Sequence, residues 1–88
     1  MKVYEVVRME CYYETKELNS LGFYSNKEVA EEIAERCRKY SVAAIYGCET
    51  YVVKERDMPN DLEVSNENNP FLNQLEREYV YAKREGLV

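Results

Sequence analysis

No histidine and no tryptophan occur in the 88 residues, and glycine appears only three times. Without histidine, the usual partner of a serine or cysteine nucleophile is missing, and so is the nitrogen ligand of a Cys–His zinc site. Three widely spaced glycines exclude a Gly-rich phosphate loop, and no GxSxG elbow is present. The three cysteines, Cys11, Cys37 and Cys48, are an odd number without CxxC spacing, so they do not read as a disulfide framework. Their spacing matches no usual metal-ligand pattern either, and no metal or cofactor is expected. The expectation is three small buried hydrophobes in a reducing, cytoplasmic setting. The opening MKVYEVVRME alternates and lacks the apolar core of a signal peptide. No run approaches the ~18 apolar residues of a membrane span.

Positive charge is also in short supply. Seventeen acids against twelve bases give a formal net charge of −5. Binding to a phosphate backbone calls for the opposite sign, so direct contact with nucleic acid is not expected. An acidic domain is suited to a basic protein surface. Arg36, Arg38 and Lys39 form the one basic cluster. They fall at the end of an expected helix, where positive charge complements the helix dipole.

The chain has the length of one domain, 1–88. Residues 2–13, KVYEVVRMECYY, read as a half-buried strand of period two. Val3, Val7, Met9, Cys11 and Tyr13 share one face; Tyr4, Val6 and Tyr12 share the other. Glu5 interrupts the first face and marks an edge or an end of the sheet. Residues 17–24 return as a second, irregular strand, with a bulge or close backbone approach at Gly22. A helix then starts at Ser25, whose capping box would be completed by Glu28. Tyr24 and Val29 are placed to staple that start, and Val29, Ala30, Ile33, Ala34, Cys37 and Tyr40 form its apolar face. Residues 41–47 connect to a third strand, 48–55. The stretch 56–69 reads as a long polar, acidic loop. Asn69 and Pro70 open a C-terminal helix, 70–85, as N-cap and first residue. Phe71, Leu72, Leu75, Tyr79 and Ala82 line one of its faces, and Gly86 stops it. The fold class is α+β: a small three-stranded antiparallel sheet with one helix packed on it, in the order β-β-α-β, plus the C-terminal helix. Residues 1–56 form the core and 57–69 the loop.

Chemistry-bearing groups are few. Carboxylate pairs such as Glu31 and Glu32 point outward from a helix, and no base accompanies a cysteine, so the chain does not read as an enzyme. Nine tyrosines are too many for so small a core. Tyrosine combines a large contact area with a polar tip and favours interfaces, which makes Tyr46, Tyr51 and Tyr81 candidate partner contacts. Glu28, Glu31, Glu32 and Glu35 form an acidic helix face. Regularly spaced carboxylates of this kind can stand in for phosphates in the basic groove of a nucleic-acid-binding protein.

The segments MKVYEVV, LGFYSNKEVAEEIAERC and ETYVVKE resemble small uncharacterised proteins of phages and bacteria with a Gly-x-Tyr-Ser helix entrance. Their strand–helix–strand layout is also similar to small phage-encoded inhibitors, including certain anti-CRISPR proteins. The likeness covers residues 1–56 and brings no catalytic residues with it. It implies an acidic viral or mobile-element protein that binds and blocks a host nucleic-acid-handling machine in the host cytoplasm. The alternatives are a structural or homodimeric domain and a ligand-binding regulatory domain. The apolar stripe of the C-terminal helix has two possible uses: covering sheet surface that the first helix leaves open, or joining a second copy of the chain.

Overall fold

The computed structural model describes residues 2–11, 14–58 and 69–88. It contains β1 (Lys2–Glu10), β2 (Lys16–Tyr24), α1 (Lys27–Tyr40), α2 (Val42–Ile45), β3 (Glu49–Asp57) and α3 (Pro70–Arg84). The sheet is antiparallel in the order β2-β1-β3. The α+β class, the β-β-α-β order and the C-terminal helix are therefore those expected. Tyr12, Tyr13 and most of the expected acidic loop lie outside the described residues.

β1 departs from the half-buried strand of the sequence reading. It is the central strand, and Val3, Val6, Val7 and Met9 are all buried. Strand alternation puts Tyr4, Val6 and Arg8 on one face and Val3, Glu5, Val7 and Met9 on the other. Val6 joins Leu21, Tyr24, Tyr51, the inner residues of α1, and Leu72 and Leu75 in the main core. The helices thus cover the Tyr4–Val6 face. On the opposite face, Glu5 marks neither an edge nor an end. It accepts a hydrogen bond from Arg56 Nε at 3.1 Å. Arg56 lies 3.7 Å from Glu17, which also pairs with Lys54. Arg56 stands opposite Val3 and Lys54 opposite Glu5 in the β1–β3 ladder, and the charged ends of both pair with carboxylates.

β2 carries the expected irregularity at Gly22. Its register against β1 slips between Glu5↔Phe23 and Val7↔Ser20, and Gly22 has φ 122°. That value is costly for a residue with a Cβ. The helix after β2 begins one residue later than expected. Asn26, not Ser25, is the cap; its Oδ1 accepts from the N–H groups of Glu28 and Val29 at 2.8 and 3.3 Å. Both residues are good caps. The choice of Asn26 moves Glu28 to the second helical position, so the reciprocal capping box does not form. The inner face of α1 is as expected, with Ala30, Ile33, Ala34 and Cys37 buried.

The connection 41–47 contains the unforeseen helix α2. Ser41 ends α1 through its N–H to Cys37 O (2.9 Å) and caps α2 by accepting from Ala44 N–H at 3.1 Å. A Schellman motif closes α2: Gly47 (φ 79°) donates to Ala44 O and Cys48 to Ala43 O.

α3 begins at Asn69 and Pro70, as expected, and buries Leu72, Leu75 and Ala82. It does not pack on the opposite face of the sheet. It packs against α1 and α2 on the helix side, with Tyr79 edge-on to Tyr40 at 5.3 Å and Arg36 bonded to Glu76 at 2.6 Å. The stripe offered for a homodimer is thereby occupied within the chain. Asn69 fixes this arrangement. Its Oδ1 caps Phe71 and Leu72, while its Nδ2 donates to Leu21 O at 2.8 Å and to Tyr24 Oη at 3.0 Å. Leu21 lies at the β2 bulge, where a residue loses its regular ladder partner.

The cysteines divide in a way the sequence reading missed: Cys37 is buried, but Cys11 and Cys48 are exposed. Burial pushes the Cys37 thiol up to about 11, with Arg36 and Arg38 offsetting only part of the effect. A raised folded value means that its contribution to stability is complete below the ordinary thiol value of 9.0 and is lost as pH rises to about 11. Urea midpoints should fall across that window, and a Cys37→Ala variant should lack this part of the decline. Asn69→Ala should cost about 2–4 kcal/mol, since it removes a cap and strands buried acceptors. Asn69→Asp keeps the cap but not the donor and should recover only part of the loss, as read by urea unfolding at constant slope.

Candidate functional site

Two surfaces carry concentrated polar chemistry. The first is a cleft of about 580 Å³ between α2, α3 and the ends of β1 and β3. Arg8, Ser41 and Glu49 lie on its inner side, and Tyr46, Phe71, Gln74 and Glu78 form its walls. Glu49 is 7% exposed, yet three side chains serve it. Ser41 Oγ and Tyr51 Oη donate to Oε1 at 2.7 and 2.8 Å, and Arg8 Nε donates to Oε2 at 2.7 Å. Burial alone favours the neutral acid and is the largest single influence on the group. The bonds from Ser41, Tyr51 and Arg8, together with the Arg8 charge, outweigh it and hold the carboxyl below its ordinary value. Burial, with the nearby Glu49 carboxylate, pushes the Tyr51 hydroxyl in the opposite direction, well above the usual range for tyrosine.

Glu49 is thus ionised at neutral pH, with both oxygens engaged, and it holds Arg8 in place. That makes it an anchor rather than a proton-transfer group. Sequence reasoning did not single out Arg8, Ser41 or Glu49. A signal was present: Arg8 follows Tyr4 and Val6 on one strand face, and Glu49 precedes Tyr51 and Val53 on another. Charges of opposite sign on two apolar faces become a pair only once the register sets them side by side.

The second surface is the outer side of α1. Glu28, Glu31, Glu32 and Glu35 are all exposed and follow the i, i+3, i+4, i+7 spacing of one stripe. The stripe lies opposite the buried residues Ala30, Ile33, Ala34 and Cys37. Among the described residues, no ion pair includes any of the four glutamates. Of the four bases of the same helix, Lys27 is exposed at its first position and makes no ion pair among the described residues, and the other three are engaged elsewhere. Arg36 holds Glu76, Arg38 donates to the Tyr51 carbonyl, and Lys39 lies 5.4 Å from the centre of the Tyr40 ring. The spacing also places Glu28 four residues from Glu32, and Glu31 four from Glu35. Each like-charged pair of this kind costs about 0.2–0.5 kcal/mol, and only Glu28 lies in the first turn, where the helix dipole repays it.

The tyrosine candidates separate. Tyr51 is fully buried in the core, 6.3 Å from Phe71 between ring centres, and is not a surface contact. The number of tyrosines makes it a candidate, but its face of β3 is the one the helices cover. Tyr46 and Tyr81 are exposed, at 61% and 62%. Both lie toward the C-terminal end of α3, where the Tyr46 hydroxyl donates to Leu87 O. They belong to different elements from the acidic stripe.

Comparison with family models, curated proteins and solved structures returns no match. Among the described residues, no group of three or more acidic or cysteine side chains is placed to hold a metal ion, and no helix is long and apolar enough to cross a membrane.

The depressed value of Glu49 sets the sign of a pH dependence. Its contribution to stability is complete above the unfolded glutamate value of about 4.3 and is lost as pH falls through the lower folded value. At neutral pH, Glu49→Gln should cost about 3 kcal/mol, because Arg8 loses its counter-charge. In urea unfolding from pH 7 to pH 3, the gap between wild type and variant should narrow toward the acid end.

Proposed function

We propose that this protein is an acidic interaction module that binds a protein partner with a basic surface through the outer face of α1. The observation that supports this best is the division of charge on that helix: its arginines are tied into the fold, while Glu28, Glu31, Glu32 and Glu35 are not. Four carboxylates held at helical spacing offer a complementary surface to a row of lysines or arginines. The like-charge spacing makes the stripe a small cost to the isolated helix, and a basic partner would relieve it. Tyr46 and Tyr81 are candidate apolar contacts at a separate position, for a partner large enough to reach them.

The resemblance to small phage-encoded inhibitors sharpens the proposal. The partner would be a host nucleic-acid-handling protein, and the carboxylates would occupy a groove that otherwise receives phosphates. Direct binding of nucleic acid by this chain is not part of the proposal, given its net charge of −5. A homodimer through the C-terminal helix is the other use of surface to consider. It would have to employ Val80 and Tyr81, the large apolar residues that helix leaves exposed, and light scattering would detect it.

The test is reversal of charge at Glu31 and Glu35, both to lysine. Neither side chain touches the core, so thermal unfolding should change little. Affinity for the partner, once purified, should fall at least about tenfold at low salt. Much of the loss should appear in the association rate, and the gap should shrink as salt rises. Equal affinity of wild type and double variant would reduce the stripe to a solvated face.

A further inference from the structure

The β1–β3 pairing runs without a break from Lys2↔Asp57 to Glu10↔Glu49. One further step along the same ladder sets Cys11 opposite Cys48. One bond of that step is made: the Cys11 N–H donates to the Cys48 carbonyl at 3.0 Å, while the Cys48 N–H turns to Ala43 O. Facing residues of antiparallel strands at a hydrogen-bonded site have Cα atoms roughly 5.5 Å apart, within the ~4.4–6.8 Å that disulfides bridge. Residues that face each other across such a ladder share a face of the sheet. Both cysteines are exposed, whereas Cys37 is buried. The odd cysteine count thus separates into one core thiol and one facing pair at the surface. The Cys48 backbone is further held by its bond to Ala43 O at 2.9 Å, so one half of the pair has a fixed position.

We propose that Cys11 and Cys48 form an oxidisable dithiol that a small disulfide, such as glutathione disulfide, converts into an intramolecular bridge. The chemistry is two successive exchanges. The thiolate of one cysteine attacks the small disulfide, forms a mixed disulfide and expels one thiolate. The second cysteine, as its thiolate, attacks the protein sulfur of that mixed disulfide, closes the Cys11–Cys48 bond and expels the other. Two protein thiols are oxidised by two electrons, and one small disulfide is reduced to two thiols. In a reducing compartment the pair rests as the dithiol; it closes when the pool of small disulfides rises. The bridge would staple the end of β1 to the start of β3, next to Glu49 and at the edge of the cleft that Cys48 helps to line. This inference is independent of the acidic face.

The test uses the full chain in glutathione buffers of graded oxidation, followed by acid quenching, alkylation under denaturing conditions and mass spectrometry. The expected product is a monomer lighter by two hydrogens, with one alkylatable thiol left, at Cys37, and with a peptide cross-link between Cys11 and Cys48. The oxidised form should also unfold at higher urea than the reduced form. Cys11→Ser and Cys48→Ser should each stop at a mixed disulfide with glutathione on the remaining surface cysteine. Cys37→Ala should still form the bridge. Stable glutathione adducts on both surface cysteines of the wild type, a cross-linked dimer, a bridge that includes Cys37, or no oxidation across the series would each overturn the proposal.

Discussion

A single buried carboxylate organises the helix side of the sheet. Removing a charge from water costs several kcal/mol unless hydrogen bonds and a counter-charge replace the solvent. Glu49 obtains those replacements from the α1–α2 junction, from its own strand and from the central strand, through Ser41, Tyr51 and Arg8. The same Ser41 terminates one helix and starts the next. The sharp change of chain direction before β3 is therefore fixed at the point where the charge is neutralised. Loss of any one donor leaves the others holding an incompletely satisfied anion, so the four residues act as a unit.

The remainder of the helix side follows from that fixed corner. α2 is too short to hold itself together; Ser41 at one end and the Gly47 turn at the other define it. α3 then has a wall to pack against, and it aligns with α1 through Tyr40, Tyr79, Arg36 and Glu76. The bond to Glu76, and that from Arg38 to the Tyr51 carbonyl, draw the arginines of α1 toward the body of the protein. The acidic outer stripe is thus partly a consequence of packing: the arginines of the same helix are needed elsewhere.

Local signals were legible in the sequence, and pairings were not. Asn69 with Pro70, Gly22 in an alternating strand, and the inner face of α1 each depend on a few adjacent residues, and each appears as expected. The start of α1 was misplaced by one residue because Ser25 and Asn26 are both competent caps, and only the tertiary position of the helix chooses between them. α2 escaped notice because four residues are too few to show a period. Tyr51 was grouped with the surface tyrosines by number, although its alternation with Glu49 and Val53 placed it on a strand face that could be covered. Two sets of partners, Arg8 with Glu49 and Cys11 with Cys48, lie far apart in sequence and meet only through the β1–β3 register. In the acidic stripe, the spacing was visible from the start; what the structure adds is the fate of the neighbouring bases.

The anchoring of α3 through one amide has a chemical consequence over time. Asparagine side chains age when the backbone nitrogen of the next residue attacks the amide carbon and releases ammonia. At Asn69 the next residue is Pro70, whose nitrogen carries no hydrogen. The side-chain nitrogen is also held by the Leu21 carbonyl and the Tyr24 hydroxyl. The residue that stops α3 from drifting is therefore shielded from the slow reaction that most often erodes exposed asparagines. The proline that opens the helix also preserves its cap.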